Sequence, residues 1–189
     1  MKKVILFVAA LAMTAFTMSA QDINQATEMY NNGAMELQMG NNATALEHFK
    51  NALQAGEALG DEAADLVANC KKAICSASLS IAKDLYNSKD FASAIEAFGK
   101  AKEYAETYGE AEFVEEAANL QTQTWKLKYN TDEKAALSVK DFATAIENFK
   151  KVLEMEPENG NTAIQLAQAY MKSGNLASAI ETLNIAKEN

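Results

Sequence analysis

The residues of this sequence that could carry out chemistry are two cysteines, Cys70 and Cys75, and a single histidine, His48. Thiolates act as nucleophiles, metal ligands or disulfide partners, and imidazole serves as a base or a metal ligand. A metal site needs several ligands together, and a nucleophile needs an activating base. The sequence offers neither a second histidine nor a glycine-rich phosphate loop. It therefore predicts no enzyme, no metal and no cofactor, with His48 facing solvent.

The spacing of the two cysteines limits what they can do together. Five residues apart on one α-helix, their Cα atoms would be roughly 8–9 Å apart and about 140° round the axis. That exceeds the reach of a disulfide, roughly 7 Å. The apolar pattern of Leu66, Val67, Ile74 and Leu79 around them favours small buried groups. Redox chemistry or intermolecular pairing is the alternative.

Two aromatic residues, Trp125 and Tyr129, are four positions apart and would share one helical face. We expect them to pack in a helix interface. The alternative is an aromatic cage for a ligand.

The composition excludes several classes of partner. All 17 basic residues are lysine, and 26 acidic residues give a net charge of −9. An acidic chain without arginine is poorly suited to nucleic acid or to an anionic membrane surface. Alanine, glutamate, lysine, leucine and asparagine dominate, and no alternating apolar pattern occurs, so the chain is predicted to be almost wholly helical.

Residues 1–20 have the three-part pattern of a secretory signal peptide. Lys2 and Lys3 precede an apolar run from Val4 to about Phe16, and the segment ends in the small residue Ala20. Cleavage before Gln21 would leave residues 21–189 with two fewer positive charges and predicts an exported protein of a bacterial periplasm. The alternatives are a secreted protein or an uncleaved anchor in the inner membrane.

An eight-residue sequence motif, here called the repeat phrase, occurs four times and predicts the helices that carry these side chains. In each copy a small alanine is followed by isoleucine or leucine and, four positions on, by phenylalanine or leucine, which places them on one helical stripe. Each copy follows a residue able to cap a helix N-terminus, namely Asn41, Asp90, Asp141 and Asn175. The copies occupy residues 42–49, 91–98, 142–149 and 176–183.

This phrase resembles the second helix of the tetratricopeptide repeat, a 34-residue helix pair. The last copy fits best, since it also has the first-helix residues and a proline ahead of them: Leu166, Ala167, Tyr170 and Pro157. The second copy has Ile81, Ala82 and Leu85 ahead of Ala94 and Phe98. Gly33 is in place in the first copy, but Asn32 and Glu36 occupy apolar positions of the pattern. In the third, Asp132 and Glu133 replace its leucine and glycine.

The spacing of the copies departs from that family. Ala94 follows Ala45 by 49 residues, Ala145 follows Ala94 by 51, and only the last interval is 34. Gly60, Gly109 and Gly160 recur with similar spacing and are predicted to end helices. We therefore expect long helices from near Asp61 to Ser88 and from near Glu110 towards Val139, unless the second breaks at residues 130–132.

The resemblance implies an all-α, right-handed solenoid of antiparallel helix hairpins, with lengthened first helices in the middle repeats. Its second helices are expected near residues 41–59, 90–108, 141–155 and 175–188. The family binds proteins or peptides in a concave groove lined by first helices. The residues that would line it here are Tyr30, Asn31, Gln38, Lys83, Tyr86, Asn87, Lys134, Gln165, Gln168 and Lys172.

The expected function is therefore a non-catalytic scaffold or adaptor for a protein or peptide partner. A second expected surface is the apolar stripe of the last helix, Ile180, Leu183 and Ile185, which an extra polar helix normally covers in this family. The alternative is a structural subunit of an envelope complex that assembles through this end, with homo-oligomerisation possible. A ligand carrier or enzyme accessory is the remaining alternative.

Overall fold

The computed structural model describes residues 22–188, with side chains through residue 184. The predicted signal peptide lies outside the described residues. Within them there are eight α-helices, one short 3-10 helix and no β-strand. The helices are α1 (22–38), α2 (Asn42–Leu59), the 3-10 helix (Gly60–Ala63), α3 (Ala64–Asn87), α4 (Phe91–Tyr108), α5 (Ala111–Ser138), α6 (Phe142–Met155), α7 (Gly160–Lys172) and α8 (Leu176–Glu188).

Each helix packs mainly against its neighbours in the chain. Contacts join every consecutive pair from α2 to α8, and α3 also contacts α5. At the start, the ring of Tyr30 in α1 lies 5.4 Å from that of Phe49 in α2. Short turns make consecutive helices antiparallel. The described residues therefore form an all-α solenoid of four hairpins, α1/α2, α3/α4, α5/α6 and α7/α8, as predicted.

The two middle first helices are long, which confirms the interpretation of the spacing. Helix α3 has 24 residues and α5 has 28, or roughly 36 and 42 Å. Each packs against the helix before it and the helix after it. The predicted alternative of a break at residues 130–132 is wrong, because α5 is continuous there. Each long helix therefore packs against the second helix of the preceding hairpin and is itself the first helix of the next hairpin.

Four turns of one geometry join the first and second helices. The residue five positions before the repeat alanine has a positive φ in each turn: Gly40 at 80°, Lys89 at 66°, Lys140 at 60° and Gly174 at 85°. The next amide then donates to a carbonyl five residues back, as from Asp90 to Leu85 at 3.0 Å. This left-handed residue ends the first helix, and two of the four positions hold a strained lysine.

We expect Lys89→Gly and Lys140→Gly each to raise the free energy of unfolding by about 0.5–1 kcal/mol. A lysine in left-handed backbone carries a steric cost that glycine does not. Urea denaturation followed by helical circular dichroism measures the change. The reciprocal variant Gly40→Lys should lose a similar amount, and a loss from both glycine variants would contradict the explanation.

Three of the four predicted N-caps are present. Asp90, Asp141 and Asn175 each accept a hydrogen bond from the backbone N–H three residues on, at 3.1–3.2 Å. Asn41 does not cap α2, because its side-chain amide instead donates to Glu36 at 2.7 Å. Asn159, which the repeat phrase did not mark, caps α7.

Two of the three predicted C-terminal glycines end helices. Gly60 and Gly109 follow α2 and α4, both with positive φ. Gly160 instead begins α7, so its predicted role is wrong. Helix α6 already ends at Met155, before Pro157, which cannot supply the N–H that a continuing helix needs.

One position in each first helix is buried. It lies twelve residues before the repeat alanine and holds Gly33, Ala82, Glu133 and Ala167. Gly33 faces the ring of Phe49, and Ala82 lies in one buried cluster with Phe98; both rings are at most 1% exposed. Three hairpins place a small residue at this position, whereas the third places a carboxylic acid there.

Candidate functional site

Cys70 and Cys75 are fully buried free thiols on α3. Cys70 packs in one apolar cluster with Phe49 and Ile74. Burial raises the pKa of each thiol to about 11, and Glu110 adds to the shift at Cys75. Because the thiolate is the reactive form, both cysteines are unreactive at neutral pH. Their predicted burial as small core groups is confirmed.

We expect both cysteines to resist a thiol reagent in the folded protein and to react at once in urea. Labelling at pH 7 with an aromatic disulfide reagent should show fewer than one reactive thiol per chain in the native state and two after unfolding. The result follows from burial together with the raised thiol pKa values. Rapid native labelling of either thiol would revive the redox alternative.

His48 is half-exposed on α2, next to the buried Phe49. Among residues 22–184, no three histidine, cysteine, aspartate or glutamate side chains come close enough to hold a metal ion. The described part of the chain therefore gives His48 no partner ligands.

Trp125 and Tyr129 stack on one another along α5, with ring centroids 5.2 Å apart and planes 13° from parallel. The Lys128 ammonium is 5.8 Å from the Tyr129 centroid. Two stacked rings on one helix form a flat wall, whereas a cage must surround a cation on several sides. The arrangement favours packing over the alternative of a ligand cage.

The residues predicted to line the groove are distributed over all four first helices. Eight of the ten are exposed, and Tyr30 and Tyr86 are half-buried. The ring of Tyr30 packs against Phe49, and that of Tyr86 lies 5.9 Å from Phe91. These two tyrosines help to hold their own hairpins together.

Lys83 is also engaged within the chain. Its ammonium lies 2.7 Å from the carboxylate of Glu116, which joins α3 to α5. An exposed ion pair of this kind contributes little to stability and is easily exchanged. The polar groups that remain open on the first helices are the amides of α1, α3 and α7, with Lys134 and Lys172.

Helix α8 presents large apolar side chains to solvent. Leu176 is 61% exposed, Ile180 62% and Leu183 41%. The repeat alanine of this helix, Ala179, is buried. Two residues of the predicted assembly face are thus exposed, while the side chain of Ile185 lies outside the described residues.

A cleft that the sequence patterns did not predict lies between the second helices α2 and α4, over α3. Its volume is about 400 Å³. Apolar side chains make part of its wall, and lysine, serine, tyrosine and glutamate side chains make the rest. The lining residues are Leu46, Lys50, Ser78, Ile81, Leu85, Ser93, Glu96, Ala97, Lys100 and Tyr104. The sequence feature that could have indicated this cleft was the pair of lysines, Lys50 and Lys100, on successive second helices.

Comparison with known proteins agrees with this geometry at one end of the chain. The matching segment begins in the final turn of α5 and includes helices α6, α7 and α8. Residues 136–189 match the tetratricopeptide repeat. No curated protein matches the chain.

Among solved structures, the chain is similar to one described as the crystal structure of MamA protein. The two are 15% identical over 86% of this chain and 90% of that one, with a TM-score of 0.31. This value is too low to relate the arrangement of the hairpins in the two proteins. In residues 22–188, no helix is long and apolar enough to cross a membrane.

Proposed function

We propose that the protein is a non-catalytic interaction scaffold, exported to the bacterial envelope, that binds a peptide or protein along its first helices. The observation that carries the proposal is the set of exposed amide and lysine side chains on those helices. The match of residues 136–189 to the tetratricopeptide repeat supports the protein-binding class.

The chemistry of these side chains suits an extended peptide. Amide groups of Asn31, Gln38, Gln165 and Gln168 donate to and accept from a peptide backbone. Lys134 and Lys172 favour a carboxylate on the same ligand. Because the side chains belong to different helices, a partner must span more than one hairpin to contact them all.

A crosslinking pull-down from bacterial periplasm tests this proposal. The full chain and a Lys134→Glu, Lys172→Glu double variant are compared, with Lys151→Glu on the second helix α6 as the matched control. A partner held by the parent and the control but lost from the double variant supports the proposed surface. Equal capture by all three chains would place the contact elsewhere.

A second candidate, an envelope subunit that assembles through α8, is favoured by the exposed Leu176, Ile180 and Leu183. Exposed apolar groups on one helix suit a protein contact. Light scattering coupled to size exclusion compares the parent with Leu183→Glu. A parent dimer that becomes a folded monomer on substitution supports assembly through this helix, whereas two monomers would remove the candidate.

Export is proposed from residues 1–20. Expression in a Gram-negative host, fractionation and mass measurement of the product test it. A periplasmic product beginning at Gln21 supports cleavage. A full-length product in the membrane fraction supports an anchor, and a full-length cytoplasmic product contradicts export.

A further inference from the structure

The cleft between α2 and α4 is rich in hydrogen-bond donors. The ammonium of Lys50 lies 5.4 Å from the centre of the Tyr104 ring. Its pKa is raised, first by the interaction with the Tyr104 side chain and then by Glu47, which lies 3.3 Å away. These contacts position the charge at one end of the cleft, beside α4.

Two further groups add to this donor set. Ser78 is only 5% exposed, and it lines the cleft from α3 below. Lys100 is exposed on α4 and makes no ion pair with another described residue. Two carboxylates lie close to these donors, Glu96 in the cleft wall and Glu47 beside Lys50. Lysines and hydroxyls therefore outnumber carboxylates here, in a chain whose net charge is −9.

The rest of the cleft wall is apolar. Leu46 of α2, Ile81 and Leu85 of α3, and Ala97 of α4 line it together. A ligand that fits both parts must carry negative oxygen atoms next to aliphatic groups. Acidic residues interleaved with leucine or a similar residue meet that requirement.

The repeat does not place a lysine at this position in every hairpin. Lys50 lies five residues after its repeat alanine, and the third hairpin has Lys150 there, but the equivalent residue of the next hairpin is Gly99. At Gly99, a Cβ atom would lie 3.0 Å from the amide nitrogen of Gln121 in α5. That amide donates to the Ile95 carbonyl at 2.9 Å. Gln121 thus covers the second helix where the first hairpin presents a lysine.

We propose that this cleft is a second docking site, which binds an acidic segment of a partner protein containing aliphatic residues. It lies between the second helices α2 and α4, over Ser78, Ile81 and Leu85 of α3, and includes none of the side chains assigned to the proposed groove. The inference rests on the proposed scaffold function and assigns to it the class of partner. The carboxylates bind Lys50 and Lys100, and the aliphatic side chains rest on Leu46 and Ala97.

Fluorescence anisotropy on the full chain tests the proposal. The probe is a labelled nonapeptide of three Glu-Glu-Leu units, blocked at both ends, in about 50 mM salt. We expect a dissociation constant of about 10–100 µM. The Lys50→Met, Lys100→Met double variant should weaken binding at least about tenfold, because bonds to charged groups are among the stronger ones. A glutamine version of the peptide should bind as weakly.

The controls separate this site from the proposed groove. Lys134→Met with Lys172→Met should weaken binding of the probe much less than the cleft double variant does, and Lys100→Met alone, at an exposed residue, should weaken it without affecting folding. Absence of probe binding, or equal binding by the parent and the cleft variants, would overturn the proposal. Loss confined to the groove variants would also overturn it while supporting the proposed groove.

Discussion

Replacing Glu133 with alanine will raise the free energy of unfolding by about 1–3 kcal/mol at pH 7. Glu133 is 4% exposed, and its Oε2 atom has no hydrogen-bond partner. A buried polar group without a partner costs about that much, and more when charged. Alanine occupies the equivalent position of the second and fourth hairpins. The substitution therefore places at this buried position the residue that those hairpins already have there.

The pH dependence of stability gives an independent measurement on the same residue. Burial raises the pKa of Glu133 above its usual 4.5, and Lys134 opposes the shift only in part. Below the unfolded-state pKa both states hold the proton, so the residue contributes no pH dependence. As pH rises from there to the folded-state pKa, the unfolded state loses its proton first and stability falls. Above the folded-state pKa the penalty is constant.

Urea denaturation of the parent, Glu133→Ala and Glu133→Gln between pH 4 and pH 8 measures both effects. The advantage of alanine should grow as the pH rises from the unfolded-state pKa to the folded-state pKa of Glu133 and should then stay constant. Glutamine removes the charge but keeps an unpartnered polar group, so its gain should be smaller. Exposed Glu147 provides the control, since Glu147→Ala should change stability by no more than about 0.5 kcal/mol. A loss of stability in Glu133→Ala would contradict the explanation.

The four hairpins could be predicted from the sequence because one phrase and one spacing repeat. The spacing of 49 and 51 residues also indicated that α3 and α5 are long. The same reasoning left a break at residues 130–132 open, since turn-forming residues cluster there. In the structure they bond within the helix: Thr131 donates to the Leu127 carbonyl at 2.8 Å, and Lys128 pairs with Asp132 at 2.5 Å. Contacts with α4 and α6 hold the rest of α5 in place.

The repeat pattern does not predict the cleft, because the charged groups of the cleft occupy different positions of the repeat. Lys50 is five residues beyond its repeat alanine and Lys100 is six beyond the next one. A search for equivalent residues therefore does not pair them. They share a cleft because α2 and α4 both pack against α3. The proximity of the two lysines therefore results from helix packing and cannot be read from the sequence of any single helix.

Glu133 in the third hairpin shows what a repeat pattern can and cannot predict. Sequence comparison with the other copies marked the residue as a departure, but it could not show that the side chain would be buried. Asn148 of α6 is also buried, and its Nδ2 atom has no partner. Two unpartnered polar groups in one hairpin indicate that α5/α6 is held less tightly than the glycine-bearing or alanine-bearing hairpins.

Gly33→Ala should lower the free energy of unfolding by about 1–3 kcal/mol, the cost of overfilling a packed core. A Cβ atom at Gly33 would lie 2.8 Å from two atoms of the Phe49 ring and 3.2 Å from the Ala45 carbonyl oxygen. Alanine would gain about 1 kcal/mol of helix propensity over glycine. The clash with a ring that is 1% exposed outweighs this gain.

A double-mutant cycle separates the clash from the change in propensity. Phe49→Leu should make room, so that Gly33→Ala costs at least 1 kcal/mol less in the leucine background than in the parent. Gly160→Ala at the start of α7, where a Cβ atom meets nothing within 4 Å, should be neutral or slightly stabilising. Urea denaturation of the four chains of the cycle gives the coupling. Equal costs in both backgrounds would mean that Phe49 does not require glycine at position 33, and that α1 approaches α2 closely for another reason.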